Sequence, residues 1–445
     1  MKLFFVSLGC DKNLVDSEKM LALLTAHDIE VTQDLVEAEI ILVNTCAFIQ
    51  DAKEESIETV LEMAQYKKGN CKALIMTGCL AQRYAEEIKK EIPEVDAIVG
   101  TTAYDRIFHV VQNVLQGKKE CMLAPLDYLP VNLTKRIRTS SAHTAYLKIA
   151  EGCNKHCTYC IIPRLRGNYR SVPMEELLEE ANQLAESGAK ELILIAQETT
   201  VYGMDLYGRK ALPELLQKLC RIKGILWIRL LYCYPEEITD TLLQTMKEEP
   251  KICHYLDLPI QHCNDEVLKR MGRKTNKQDL CKKIQKIRAL LPDVSLRTTL
   301  ISGFPGETPE QHEECLAFVS KMRFERLGVF TYSPEEGTKA ADFTDPVSDE
   351  CKRIWADEIM EAEQNVIFQQ NDELVGKYLQ VLVDGFLPDE GVYIGRTYRD
   401  APEIDGCVFF ESPCEIVSGT LLTIRVTEAR GYDLIGELCP DQENI

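Results

Sequence analysis

Three short apolar runs near the start of the chain each end in a cysteine, and this recurrence limits the possible folds more than any other feature. Lys2 to Leu8 closes on Gly9-Cys10, Glu39 to Thr45 on Cys46, and Lys72 to Gly78 on Cys79. The cysteines lie 36 and 33 residues apart, about one strand–helix repeat each. Residues 14–26, 52–66 and 81–90 are amphipathic and read as the intervening helices. Continuous apolar runs bounded by helices are the pattern of buried parallel strands. Residues 1–117 should therefore form an N-terminal parallel α/β domain. In open parallel sheets ligands bind just beyond the carboxyl ends of the strands. All three thiols fall at that end and should converge on one edge. Buried cysteine also packs as a small hydrophobe, but packing does not require three separate strands to end alike. Three thiolates can hold three irons of a four-iron cluster and leave the fourth open.

A second trio is local. In Glu151-Gly-Cys153-Asn-Lys-His156-Cys157-Thr-Tyr159-Cys160, three cysteines sit on one tight loop behind the alternating run Ala145 to Ala150. Zinc is the alternative, with His156 or a distant residue as fourth ligand. Ligand softness and the Cys-x3-Cys-x2-Cys spacing favour an iron–sulfur cluster. The loop resembles the radical S-adenosylmethionine (SAM) signature. That resemblance implies that the open iron chelates the amino and carboxylate groups of SAM, and that Tyr159 faces the adenine.

The chain has 445 residues, enough for two or three domains. Its 18 cysteines are not preceded by a secretory signal, since the apolar run Leu3 to Val6 is too short for one. No apolar run is long enough to span a membrane. The expected setting is a reducing cytoplasm, with cysteines as ligands or buried thiols rather than disulfides. Cys71, Cys121, Cys220, Cys281, Cys315 and Cys351 share no spacing and read as small hydrophobes or surface thiols.

Residues 118–144 read as a linker, locally basic and broken by Pro125 and Pro130. Strand–helix alternation resumes at 145, with strands expected at 145–150, 191–196, 225–231, 254–259, 294–301 and 326–332. A helix should start near Pro173 and stop at Gly188, and Thr308-Pro-Glu-Gln311 fits a capping box. Six units over 145–345 suggest a partial (β/α)6 TIM-like barrel, with chemistry at the carboxyl ends of its strands. The cluster loop follows the first of those strands. Given the radical SAM resemblance, other strand-end residues become candidate SAM contacts. Gln197 and Glu198 resemble the family's acidic tripeptide for the SAM amino group, although its usual two glycines are missing here. Arg229, Arg297 and Gly303 are further candidates.

Residues 346–375 read as a connecting helix. Across 376–445 the pattern turns to period two, with five short strands punctuated by glycines, which suggests a small antiparallel β-barrel. The barrel resembles oligonucleotide-binding ones, but its charge disagrees. From residue 366 onward there are five basic against fifteen acidic side chains, half of the chain's net charge of −20. A phosphate-gripping module should be basic, whereas an acidic one attracts a basic protein surface.

Together these parts are similar to the methylthiotransferase family of radical SAM enzymes, over essentially the whole chain. The residues that carry the resemblance are the three separated cysteines, Ala145 to Cys153, Cys160 to Gly167, Asp400 to Gly406 and a TRAM-like tail. The nearest branch modifies an aspartate of small-subunit ribosomal protein twelve. The resemblance implies two 4Fe-4S clusters and SAM as cofactors. It also implies an electron donor such as flavodoxin or ferredoxin, and a basic protein substrate rather than a nucleic acid. In that chemistry one SAM methylates a sulfur at the N-terminal cluster. A second SAM, cleaved at the Cys153/Cys157/Cys160 cluster, starts hydrogen abstraction from the aspartate β-carbon. The rival readings are a tRNA adenosine methylthiotransferase of the same architecture, a non-catalytic iron–sulfur electron carrier and an RNA-binding module.

Overall fold

The structure, a computed structural model, describes residues 1–130 and 135–439. Residues 131–134 of the expected linker and 440–445 of the expected tail domain lie outside the described residues.

The N-terminal domain is a six-stranded parallel sheet. Its strands are β1 (Lys2–Ser7), β2 (Glu30–Val31), β3 (Ile40–Thr45), β4 (Ala73–Gly78), β5 (Ala97–Val99) and β6 (Glu120–Met122), in the order β2-β1-β3-β4-β5-β6. Every residue of β3 and β4 is buried, because both faces of a parallel sheet must be covered. Helices α1 (Asp11–Thr25) and α5 (Ile107–Leu115) cover one face through Met20, Leu21, Leu24, Val110 and Val111. Helices α2 (Gln50–Ala64), α3 (Cys79–Arg83) and α4 (Ala85–Glu91) cover the other through Val60, Met63, Leu80 and Ile88. Chain connections leave β1 and β3 in opposite directions, so the switch point where such sheets bind ligands lies between them. Cys10 follows β1 and Cys46 follows β3.

Three of the six strands were not foreseen. β2, β5 and β6 have two or three residues each, too few to show a period. β6 lies inside the expected linker and pairs with β5, so the N-terminal sheet ends at Met122 rather than before residue 118. The expected helix over 81–90 is two helices, broken at Tyr84. The linker is not a loose strap either. Arg136 is buried between Glu18 of α1 and Glu180 of the barrel, at 3.3 and 3.1 Å.

The second domain is an open six-stranded parallel sheet curled into a partial barrel. Around the short antiparallel pair β8 (Ala150–Glu151) and β9 (Arg170–Ser171), its strands are β7 (Thr144–Lys148), β10 (Glu191–Ile195), β11 (Trp227–Leu230), β12 (Ile252–Gln261), β13 (Ser295–Ser302) and β14 (Arg326–Thr331). All six expected strands are present, and the capping box at Thr308 and Gln311 forms. The barrel interior is shared between domains. Val15 of α1 and Leu382 and Ala401 of the tail pack among Tyr146, Ile193, Ile195, Trp227 and Tyr255.

The connecting helix Asp349–Asp372 leads to a closed barrel of β15 (Tyr378–Leu387), β16 (Val392–Thr397), β17 (Val408–Glu411), β18 (Leu421–Arg430) and β19 (Asp433–Leu438). One seam departs from the expected antiparallel pattern, since β17 and β19 pair in parallel. β18 and β19 form a hairpin, and the returning strand closes the barrel against β17. The turn after β16 plugs the amino-terminal end of the partial barrel. Arg396 meets Glu191 at 2.8 Å, Tyr255 Oη donates to Asp405 at 2.7 Å, and Arg326 pairs with Asp400. The plug leaves the carboxyl-terminal end to the cysteines. Among the described residues no helix is long and apolar enough to cross a membrane.

Candidate functional site

The local trio sits where β8 turns off the partial barrel. The N–H of Gly152 donates to Gln197 Oε1 at 2.7 Å, and Gln197 Nε2 donates to Glu151 Oε1 at 2.8 Å, which pins the root of the loop to the end of β10. The N–H of Cys153 donates to Gly167 O, that of Thr158 to Met271 O, and that of Cys160 to Cys157 O. His156 has φ +53, so the loop carries backbone strain of the kind that collects at functional sites. The N–H of Lys155 points at Cys153 Sγ, 3.5 Å away. Cys157 Sγ lies 3.5 Å from Tyr234 Oη. Burial pushes the Cys153 thiol up to about 11 and the Cys160 thiol up to about 12. Both are protonated without a metal, and iron must displace those protons to bind.

Cys10 caps the start of α1, Cys46 follows β3, and Cys79 opens α3. The backbone is shaped to bring them together. Gly9 has φ +87, and a Cβ there would meet Cys46 Cβ at 2.8 Å and Sγ at 3.0 Å. Gly78 has φ +93, and a Cβ would strike Asn44 Oδ1 and Thr45 O at 2.3 and 2.4 Å. Ser56 Oγ accepts from the N–H of Cys46 at 3.0 Å and donates back to its carbonyl at 3.1 Å. Burial pushes the Cys79 thiol up to about 12, and the Cys46 thiol rises for the same reason.

The six cysteines are not arranged for single ions. Among the described residues, only His262, Cys263 and Cys315 place three ligand atoms within 4.8 Å of one another. One zinc draws its sulfurs to about 2.3 Å from itself, so zinc ligands crowd, whereas the thiolates of an iron–sulfur cluster each take their own iron. In neither trio do three ligand atoms lie within 4.8 Å of one another, so neither is a preformed single-ion site. At the His262 group both ring nitrogens are already engaged, by the N–H of Asn264 and by Glu307.

A buried ionic network joins the two trios, and its members were not singled out from the sequence. Arg166, 2% exposed at the end of α6 (Ile162–Arg166), reaches Asp16 at 2.8 Å, Glu151 at 3.1 Å and Asn13 Oδ1. Lys148 pairs with Asp16 and meets Glu151 at 2.8 Å. Asn13 Oδ1 also accepts from Cys79 Sγ at 3.9 Å. Burial alone would raise the Glu151 carboxyl, but Arg166 and Lys148 hold it well below the usual range. Arg166 lies in the stretch that carries the family resemblance, which was the one available signal. α1 buries Lys12, Asn13, Asp16, Ser17, Glu18 and Lys19 as well as its apolar side. Read alone, such a helix would turn those residues to water.

The expected SAM contacts divide into two groups. Gln197 and Glu198 lie beside the loop. Glu198 is buried, accepts from the N–H of Thr200 at 2.9 Å, and lies 3.7 Å from Lys155 Nζ. Burial pushes its carboxyl up to about 7. Tyr159 meets Phe304 edge to face at 6.5 Å, within the same end of the barrel. The two arginines are committed elsewhere. Arg229 is fully buried, pairs with Glu191 at 2.7 Å and donates to Tyr398 O at 2.7 Å, so it holds the tail plug rather than a cofactor. Arg297 pairs with Asp257 at 3.0 Å and lies 3.7 Å from Asp405 of the plug. Gly303 makes room for Lys352 of the connecting helix, whose Cγ lies 2.2 Å from where a Cβ would stand.

Residues 147–319 match the radical SAM superfamily, 375–439 the TRAM domain, and 2–100 the uncharacterized protein family UPF0004. The chain is 59% identical over 437 residues to the ribosomal protein uS12 methylthiotransferase RimO of Lachnoclostridium phytofermentans, covering 98% of this chain and 99% of that protein. It is 46% identical to RimO of Clostridium tetani, over 98% of each chain, and 47% identical to that of a Thermoanaerobacter species, over 97% and 98%. Among solved structures it is similar to the radical SAM methyltransferase TsrM of Kitasatospora setae, with a TM-score of 0.53 and 13% identity over 74% of this chain and 72% of that one. That last likeness concerns the fold. Full-length identity to these relatives, on a scaffold that brings two cysteine trios to adjoining strand ends, shows that the chain belongs to the RimO family of radical SAM methylthiotransferases.

Proposed function

We propose that the chain adds a methylthio group to the β-carbon of an aspartate in ribosomal protein uS12, using two four-iron clusters and SAM. The observation that carries this reading is the buried network of Arg166, Asp16, Glu151, Lys148 and Asn13. It locks the N-terminal trio and the loop trio to one another across the domain boundary. A simple electron carrier has no need of two such trios behind one rigid joint. Cys153, Cys157 and Cys160 hold the cluster that binds SAM, and Cys10, Cys46 and Cys79 hold the second. When bound, the loop cluster and SAM supply one-electron chemistry that reaches a C–H bond too weakly acidic for a protein base. The protein's own part is placement and exclusion of water. Gln197 steadies the loop, Glu198 accepts from the SAM amino group, and Tyr159 lines the adenine side. A cytoplasmic flavodoxin or ferredoxin supplies the electron, and the acidic tail barrel draws in the basic substrate.

Anaerobic reconstitution tests the second cluster. The wild-type chain should hold about eight irons, and the combined Cys10→Ala, Cys46→Ala and Cys79→Ala variant about four. A triple variant that keeps its full iron would overturn the second site. Mass spectrometry of uS12 and tRNA from cells with and without the gene tests the substrate. Methylthio mass should disappear from uS12, and its loss from tRNA instead would favour the adenosine-modifying alternative.

Glu198 gives a pH signature. Its carboxyl is pushed up to about 7, so it is neutral below that pH and anionic above it. If the anion accepts from the SAM amino group, SAM affinity of the iron-loaded wild-type enzyme should fall below pH 7 more steeply than that of Glu198→Gln, by up to about tenfold per pH unit. Glu198→Gln should bind SAM more weakly and flatten the profile. An unchanged slope in that variant would remove Glu198 from the site.

A further inference from the structure

Four lysines of the described residues are buried: Lys12, Lys19, Lys148 and Lys352. Three have a carboxylate partner. Lys19 meets Glu180 at 3.2 Å, Lys148 meets Glu151 at 2.8 Å, and Lys352 meets Asp349 at 2.9 Å. Lys12 is 6% exposed, and among the described residues it has no carboxylate within ion-pair reach. Its Nζ lies 3.1 Å above the centre of the Tyr232 ring. The two acids nearby are spoken for. Asp11 accepts from Tyr232 Oη at 3.2 Å. Asp257 accepts from Arg297 at 3.0 Å and from the N–H of Tyr232 at 2.9 Å.

Burying an ammonium is costly unless it is paired. An aromatic face offsets only part of that cost. Tyr232 is itself strained, with φ +58 just past the carboxyl end of β11. Such strain persists only where the surroundings impose it, and here they hold a ring beneath a cation. Lys12 stands two residues after Cys10, on the end of α1 that adjoins the barrel. The place therefore has a buried amine with no carboxylate partner, at the catalytic end of the barrel and beside the N-terminal trio.

Resting on the proposed reaction, we infer that Lys12 is the carboxylate receptor of the substrate site and takes the side-chain carboxylate of the aspartate to be modified. The reacting β-carbon is bonded directly to that carboxyl carbon, so holding the carboxylate places the C–H bond. The same contact discriminates against asparagine, which lacks the charge, and against glutamate, whose carboxylate lies one carbon farther from the backbone. Tyr232 supplies the face that keeps the ammonium aimed while the site is empty.

The test compares uS12 with a uS12 carrying asparagine at the modified position, on the full-length iron-loaded enzyme. Wild-type enzyme should bind the aspartate form at least about tenfold more tightly than the asparagine form. Lys12→Met should raise KM for uS12 by about a hundredfold and bind the two forms alike, with iron content retained. Lys12→Arg, which keeps the charge, should retain part of the discrimination. Equal binding of both forms by the wild-type enzyme would overturn the assignment without recourse to any variant. So would a Lys12→Met enzyme with unaltered KM and discrimination, and in either case the proposed reaction would stand. A wild-type enzyme that leaves uS12 unmodified would instead overturn the reaction, and the receptor role with it.

Discussion

Cys157→Ala should abolish reductive SAM cleavage by the anaerobically reconstituted enzyme, read as 5′-deoxyadenosine formed with dithionite as reductant. Cys157 is the middle residue of the loop trio, 7% exposed, with its sulfur against Tyr234 Oη. Its neighbours on the loop are held by their own backbone bonds to Gly167 and Cys157, so the remaining two thiols cannot move to replace it. Two thiolates leave two irons without protein ligands, and such a cluster is lost or inactive. Cys46→Ala provides the contrast. It lies in the other domain, and its loss should remove methylthio transfer while SAM cleavage continues. Persistent 5′-deoxyadenosine formation by Cys157→Ala would refute the assignment of the loop. Loss of cleavage in Cys46→Ala would show that the two trios do not act separately.

The second large effect is on stability. Arg166→Met should destabilise the chain by about 3–5 kcal/mol, because it leaves Asp16 and Glu151 buried with Lys148 as their only cation. The methionine fills much of the volume, so lost packing is not the main term. The sign of the pH dependence follows from Glu151. Its folded-state pKa is depressed, so its contribution is present above the ordinary glutamate range and fades as the pH falls below it. The gap between wild type and variant should therefore be full near neutral pH and shrink toward pH 3. Denaturant titration at several pH values measures both. Because the chain has several domains, the transition to follow is the one that carries the joint between the first two. A variant within about 1 kcal/mol of wild type at pH 7 would mean that the network is solvated and contributes little.

The cysteines and the sheets were readable in advance for the same reason. A parallel strand buried on both faces must be apolar throughout, so β3, β4 and the barrel strands stand out as continuous runs, and the cysteines that follow them stand at the edge where such sheets bind ligands. That Arg229 and Arg297 turn to the tail plug was not legible, because a strand's sequence does not say which side chains lie toward which mouth of the barrel. Arg229 and Arg297 reach the tail plug, which is contributed from about a hundred or more residues downstream. β2, β5 and β6 were missed because two or three residues carry no period.

The sequence alone determined the two cysteine trios, the parallel sheets that present them and the small closed barrel at the tail, since each follows from spacing or period along the chain. Only the tertiary structure decided which charges are buried. α1 lies between its own sheet and a neighbouring barrel, so its polar side meets protein rather than water. Arg166, Asp16, Glu151 and Lys148 come to share one network, and Lys12 is left facing an aromatic ring. Burial of a polar side chain depends on what another domain brings against it, and no local pattern encodes that.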